Sequence, residues 1–401
     1  MPSDQAINLA MLVNVSAFIA FCATYQYFTR RSKIGRQPSA RTLLLAACLA
    51  RKSLSLKYIA VNGAIGIIGF FLAFGALNKV AEYFSDPSGY ISRLADTSDK
   101  LGLAAGLFFR PFLAICVVML WCRWLDRVRS KNKRGLTSVV TALTILAVCV
   151  SNATFNYNRG SVVVPLVAML AVIVGSPGRV LHRSLVPAGA LVFVVLLLAP
   201  FYGAYRSSNF TGQEILSDPS VRNLLADKLE ITEMFQVYGG APQFLGFFLE
   251  MGRWGTNSQW GKVLGSSALA PLPILGKPFR ENSGTAVYNR LIYGQLDVQD
   301  QISPFQGEAF LDFQLPGLLA GFAFLGWIAF KLQTAFARSS SFFESFVCQY
   351  FSVWTFFLII GSLSVVSQVF IYFCWPFYLY FIRRRLAQLR IPRVHVRFER
   401  S

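Results

Sequence analysis

Two carboxylates four positions apart, Glu308 and Asp312, stand in the stretch SPFQGEAFLDFQLPG (303–317), directly before a long apolar run. On a helix that spacing puts both on one face. Two readings are open. A helix start tolerates acidic side chains because its macrodipole is positive there, which makes the pair a solvated lip. Alternatively, the pair belongs to a site that works at a membrane surface.

A second set of residues suits anion chemistry. Arg159 sits in FNYNRGSVVVPLV, with Gly160 allowing close approach, and Arg206 in FYGAYRSSN. Arg253 lies in EMGRWG, Lys277 and Arg280 in GKPFREN, Arg290 in YNRLIYG, and Arg110 in LFFRPFL. Arginine keeps its charge at any usable pH and presents a planar fork that matches phosphate oxygens. Each also has a plainer role. Arg110, inside an apolar run, can snorkel to an interface, although a charge within a span is costly and more often functional. Arg159 can anchor a helix junction, and the others can be solvated surface charges.

Motifs that would name a soluble enzyme are missing. LGKPF lacks the glycine spacing and the Ser/Thr of a phosphate-binding loop, and neither GxSxG nor HExxH occurs. The cysteines form no CxxC pair and no Cys/His cluster, so neither a zinc site, a metal cofactor nor a disulfide framework is expected.

The elements that must position these residues are read from apolar patterning. The chain has 401 residues, is 54% hydrophobic and only 14% charged, against roughly a quarter charged in soluble proteins. Its mean hydropathy is +0.49. Apolar stretches of about 20 residues, the length that crosses a bilayer, alternate with clustered charge. An all-α integral membrane protein follows, since the strand alternation of a membrane barrel is absent. Spans are expected near 6–28, 58–77, 101–121, 136–155, 161–175, 185–202, 314–336, 343–362 and 365–382, about nine in a polytopic bundle. The turn between the last two is placed in GSLSVVSQ, and TLLLAACLA (42–50) along the interface. The amino-terminal stretch reads as a retained first span, because it lacks a basic region and a cleavage site.

The net charge of +19 lies at the ends of spans, which argues for orientation in a membrane and against nucleic acid. Segments 29–57, 123–134 and 383–400 carry eight, six and seven basic residues; 78–100 has three basic against four acidic. The basic segments are therefore expected on the cytoplasmic side, with the amino terminus outside and the carboxyl terminus inside. Both histidines, His182 and His395, then fall in cytoplasmic segments, so an external imidazole base is disfavoured.

Three domains follow: an amino-terminal bundle over 1–202, a large external loop domain over 203–313, and carboxyl-terminal membrane helices over 314–401. The loop holds eight basic and eleven acidic residues, and a connection of that length should fold. SDPSVRNLLADKLEITEMFQVYGG reads as an amphipathic helix, capped by Ser217 or Asp218, with Pro219 at its first position and Gly239 as a stop. PQFLGFFLEMGRW reads as a more apolar helix against the membrane, and ALAPLPILGKPFRENSG as irregular. The GxxxG patterns at 102–106 and 317–321 suit helix packing.

Three stretches, NRGSVVVPLVAML, PLPILGKPFRENSG and SPFQGEAFLDFQLPGLLAGFAFLGW, together resemble the bacterial oligosaccharide repeat-unit polymerases, the Wzy-type or O-antigen polymerase family. Closely patterned residues cover about 60 positions, and Gln314 and Pro316 depart from the family's usual run there. The resemblance implies a GT-C-like membrane bundle in the bacterial cytoplasmic membrane, with the large loop periplasmic. It implies an enzyme, a glycosyltransferase that joins repeat units carried on undecaprenyl diphosphate, without a cofactor. In that reading Glu308 is the base for the acceptor hydroxyl and Asp312 its neighbour. Arg159, Arg280 and Lys277 bind the diphosphate, with Arg110, Arg206 and Arg290 as further candidates, while Trp254, Trp260 and Tyr288 stack on sugars or anchor at the interface. Lipid-linked oligosaccharide, membrane lipids and a chain-length regulator are the expected partners. Competing readings are an O-antigen ligase, which would want a histidine in the long loop, a flippase or other transporter, and a non-catalytic assembly partner.

Overall fold

The computed structural model describes residues 2–32, 54–74, 100–128, 134–155, 159–175, 185–186, 188–194, 217–220, 241–250, 258–272, 275–293, 304–339 and 341–389. Among these residues the protein is all-helical. The expected interfacial stretch 42–50 lies outside them. So does most of the 217–239 helix, of which only 217–220 is described. There the Asp218 carboxylate accepts the Ser220 amide at 2.8 Å, the geometry of a helix cap.

Among the described residues the chain opens with α1 (Asp4–Arg31), α2 (Leu56–Phe74), α3 (Lys100–Val128), α4 (Arg134–Phe155) and α5 (Arg159–Gly175). Four short ones follow: α6 (Ala241–Glu250), α7 (Lys262–Leu269), α8 (Lys277–Arg280) and α9 (Gly284–Tyr293). After these come α10 (Phe305–Ala337), α11 (Phe342–Ile360), α12 (Leu363–Tyr372) and α13 (Trp375–Leu389).

Among the described residues three helices are long and apolar enough to cross a membrane: α1, α10 and α11 over Phe342–Ile359. A fourth crossing is formed if α12 and α13, bent by 57° at their junction, count as one broken span. The sequence predicts one unbroken helix over 365–382. Pro376 explains the difference, because its ring in a continuous helix would strike the carbonyl of Tyr372. Shorter apolar stretches, Leu56–Leu72, Leu136–Ser151 and Val163–Gly175, lie in α2, α4 and α5.

Packing follows from where small residues let helices approach. α2 runs antiparallel along α3, where a side chain at Gly66 or Gly69 would collide with Leu113 or Phe109. α1 lies along α10, with Gly326 backing onto the Phe21 carbonyl. α11 is enclosed by α10, α5 and α3, and its Phe343, Phe346 and Trp354 are among the fully buried aromatics. The outer face of α1 exposes Leu12, Phe18 and Ile19. A row of large apolar side chains with nothing over it suits contact with lipid.

The bundle has two unlike ends. Arg30 and Arg31 close α1, Arg127 is in the last turn of α3, and Arg383 and Arg384 lie in α13 at the same end. At the other end, α6 to α9 and the start of α10 form a small helical cap. The Ser3 amide donates to the Glu250 carboxylate at 2.8 Å, which ties the first turn of α1 to the end of α6.

Candidate functional site

The cap is organised by a break in α10. Gln314 has φ 59° and ψ −151°, so the helix is two pieces, 305–313 and 315–337. Pro316 is the cause: it has no amide to donate to Asp312, and it disfavours a helical residue before it. The second piece, about 34 Å long at 1.5 Å per residue, is enough to cross a bilayer by itself. The first piece is left to pack in the cap, and every residue from Phe305 to Asp312 is buried.

The carbonyls freed by the break are taken by the segment 258–260 before α7. The Gln259 amide donates to Leu311 O and the Trp260 amide to Asp312 O, both at 3.1 Å. The Ser258 hydroxyl also donates to Asp312 O. Trp260 (φ 51°) and Gly261 (φ 86°) are both left-handed, which turns the chain sharply into α7.

The side chain of Asp312 then plugs that helix. Its Oδ1 accepts the Val263 amide at 3.0 Å and its Oδ2 the Leu264 amide at 2.7 Å. One turn earlier, Glu308 does the same for another helix. Its Oε2 accepts the amide of Leu363, the first residue of α12, at 3.0 Å. Its Oε1 accepts the Ser267 hydroxyl at 2.9 Å, and the Ser267 oxygen accepts the Gly284 amide at 2.8 Å. The i, i+4 spacing thus aims two carboxylates at the starts of two helices. Each start offers unpaired amides and a positive dipole end, which offsets the burial of the acid.

Both carboxyl groups are 0% exposed, so this conformation leaves neither open to a substrate hydroxyl. Gly284 is needed because a methyl there would collide with the Glu308 carboxylate. Ser267, Gly284 and the amides of Val263, Leu264 and Leu363 were not singled out in the sequence. Four of these five contribute a main-chain amide that any residue but proline would supply, so the sequence carried little signal for them.

The cations of the cap lie outside this node. Lys277 and Arg280 begin and end α8 and are exposed. Arg280 lies four residues before Gly284, which limits its backbone to within about 14 Å of the Glu308 site. Arg280 also acts electrostatically on Tyr372, whose hydroxyl donates to Pro271 O at 2.7 Å. Exposed Arg290 on α9 donates to the Glu281 carbonyl at 3.2 Å. Arg159 is the first residue of α5, and Arg110 precedes Pro111 inside α3. Arg206, Arg253 and Trp254 lie outside the described residues.

The two described aromatics part company. Trp260 is 81% exposed, edge-on to Phe313 with centroids 6.5 Å apart. Tyr288 is 1% exposed, its ring set edge-on against Phe248 at 5.7 Å. It has no face open to a sugar, so its place is in the core of the cap. Among the described residues no group of three or more His, Cys, Asp and Glu gathers as a metal site would require. The segment 268–284, expected to be irregular, contains the end of α7, all of α8 and the first residue of α9. A side chain at Gly276 would collide there with the Ala270 and Leu272 carbonyls.

No family model, curated protein or solved structure matches the chain.

Proposed function

We propose that the protein is a membrane glycosyltransferase of the repeat-unit polymerase kind. It transfers a growing glycan from its polyprenyl diphosphate carrier to a lipid-linked repeat unit at the outer face of the bacterial cytoplasmic membrane. The observation that carries this reading is the cap: a helical unit bearing exposed Lys277, Arg280 and Arg290, fastened where a membrane helix begins. About nine spans in a GT-C-like bundle, with the amino terminus and cap outside and the carboxyl terminus inside, complete the proposal. The gathering of arginines at the opposite end supports that orientation.

The chemistry is substitution at the anomeric carbon. A bond forms from the acceptor hydroxyl oxygen, the bond to the diphosphate oxygen breaks, and the lipid diphosphate leaves with the electron pair. Arg280 and Lys277, with Arg159, Arg110, Arg206 and Arg290 as the wider set, stabilise that developing charge. Glu308 and Asp312 act as positioning residues that hold the cationic cap in place. Glu281, exposed beside Arg280, is the carboxylate proposed to take the hydroxyl proton. Trp260, exposed at the break, is the aromatic proposed to meet a sugar ring. A chain-length regulator is the proposed protein partner.

One observation favours a second reading. The broken pair α12 and α13 is the kind of interrupted helix that transporters use, which fits a flippase for the same lipid-linked units. Purified protein in proteoliposomes, supplied with lipid-linked repeat units, separates the two. Products whose masses climb by whole repeat units support the polymerase. Movement of the unit across the bilayer at unchanged mass supports the flippase and overturns the enzyme reading.

A further inference from the structure

Between α1, α10 and α11 lies a cavity of about 360 Å³ that the glycan chemistry leaves unused. Tyr25, Gln333, Gln349, Ser352 and Thr355 line it, five uncharged hydrogen-bonding side chains on three helices long enough to cross a membrane. Tyr25 is six residues before Arg31, so the mouth lies about 9 Å along α1 from the basic end of the bundle. Thr355 is 14 residues beyond Ser341, about 21 Å along α11, which carries the wall to hydrocarbon depth. Phe356 is 66% exposed at the rim, so the cavity opens sideways to acyl chains. Most of the polar groups are already engaged. The Tyr25 hydroxyl donates to the Gln333 carboxamide across α1 and α10. Ser352 and Thr355 donate to the carbonyls of Cys348 and Phe351, each at 2.8 Å. Gln349, half-buried between these levels, differs: among the described residues its carboxamide makes no hydrogen bond.

We infer that this cavity is a binding site for an uncharged glycerolipid with a free hydroxyl, of the 1,2-diacylglycerol class. The ligand is read from what Gln349 lacks. A carboxamide within a span is costly until both its acceptor and its donor are met. In a 1,2-diacylglycerol a hydroxyl and an ester carbonyl sit on neighbouring carbons. The hydroxyl donates to Gln349 Oε1, and the ester carbonyl accepts from Gln349 Nε2. The acyl chains run past Ser352 and Thr355, whose protons are committed to the main chain, and along Phe356 and Ile359. A phospholipid fails on two counts. Its phosphate replaces that hydroxyl, and its charge would sit at hydrocarbon depth against a wall that carries no lysine or arginine. A fully esterified glyceride has no hydroxyl to give. A small uncharged head leaves the headgroup layer at little cost, and the sideways opening gives it a path.

The test is photo-crosslinking of the full chain in phosphatidylcholine nanodiscs doped with a 1,2-diacylglycerol that carries a diazirine in one acyl chain. Labelled peptides are read by mass spectrometry. Specific label is expected within 329–336 and 349–359, displaced by unlabelled diacylglycerol but by neither triacylglycerol nor phosphatidic acid. Gln349→Leu is expected to weaken binding about fivefold, the loss of one hydrogen bond within a span. It should melt no lower than wild type in detergent, since it removes an unmet amide. Ser352→Phe fills the cavity and is expected to abolish specific label, while Phe18→Leu on the outer face of α1 leaves it unchanged. Equal labelling of wild type, Gln349→Leu and Ser352→Phe overturns the site. So does displacement by triacylglycerol, which would make the cavity an apolar slot, or by phosphatidic acid, which would make it a phospholipid site. Weaker binding by Gln349→Leu together with a lower melting midpoint also overturns it, because the amide would then serve packing.

Discussion

The two ends of the bundle use acidic side chains in opposite ways. At the cap end, Glu308 and Asp312 are fully enclosed, and their partners are amides at the starts of α7 and α12 and one serine hydroxyl. At the other end, Glu344 meets the guanidinium of Arg384, whose side chain is 44% exposed, and the Tyr380 hydroxyl at 3.0 Å. Glu344 also follows Ser341, which caps α11 by accepting the Glu344 amide. The cap-end acids join the first piece of α10 to the starts of α7 and α12, where main-chain bonds from Gln259, Trp260 and Phe305 are their only described backbone company. The Glu344 cluster adds to helices already joined by buried aromatics such as Phe343, Phe346 and Phe377. The cap end is therefore expected to depend on its acids more than the other end does.

Replacing residues at both ends should expose this asymmetry. Asp312→Ala strips two charge-assisted amide bonds from the start of α7 and leaves the donors buried, a loss of about 3 kcal/mol or more. Unfolding in detergent, followed by temperature, should give the lowest midpoint of the series. Gly284→Ala forces a methyl against the Glu308 carboxylate and should cost about 1–3 kcal/mol, read by the same melt. Gln314→Gly tests the break itself. It removes the side chain from a left-handed backbone, and a gain of about 1 kcal/mol is expected. A loss there would mean that the Gln314 side chain contributes more than its strain costs. Arg384→Ala should change stability by less than about 1 kcal/mol, because the Arg384 side chain is 44% exposed and Glu344 keeps the Tyr380 hydroxyl as a donor. A drop as large as that of Asp312→Ala would erase the contrast between the ends.

How far the sequence foretold this arrangement depends on which atoms carry it. The helical and apolar character of the chain was legible, but the break at Gln314 was not read from Pro316, although proline acts through its own ring and missing amide. Pro376 carried the same signal for the α12–α13 bend, but it was outweighed by the apolar run around it. The spacing of Glu308 and Asp312 placed them on one face, yet the sequence left open what that face would meet. The answer lies in main-chain amides of Val263, Leu264 and Leu363, which leave no mark in residue type. Tyr288 shows the opposite limit. An aromatic in a polar loop suggests a sugar platform, but only packing reveals that Phe248 covers it. The exposed placing of Lys277, Arg280 and Arg290 agrees with charged side chains in water, and their link to the buried acids runs through Gly284 and Ser267.

Hydrogen exchange on the Asp312→Ala protein, compared residue by residue with wild type, tests most directly whether the buried acids hold the cap. The amides of Val263 and Leu264, and the helix that follows them to Leu269, should lose protection, while α11 over Phe342–Ile360 keeps its own. Unchanged protection across α7 would contradict the account and leave Asp312 as a passenger in a cap held by something else.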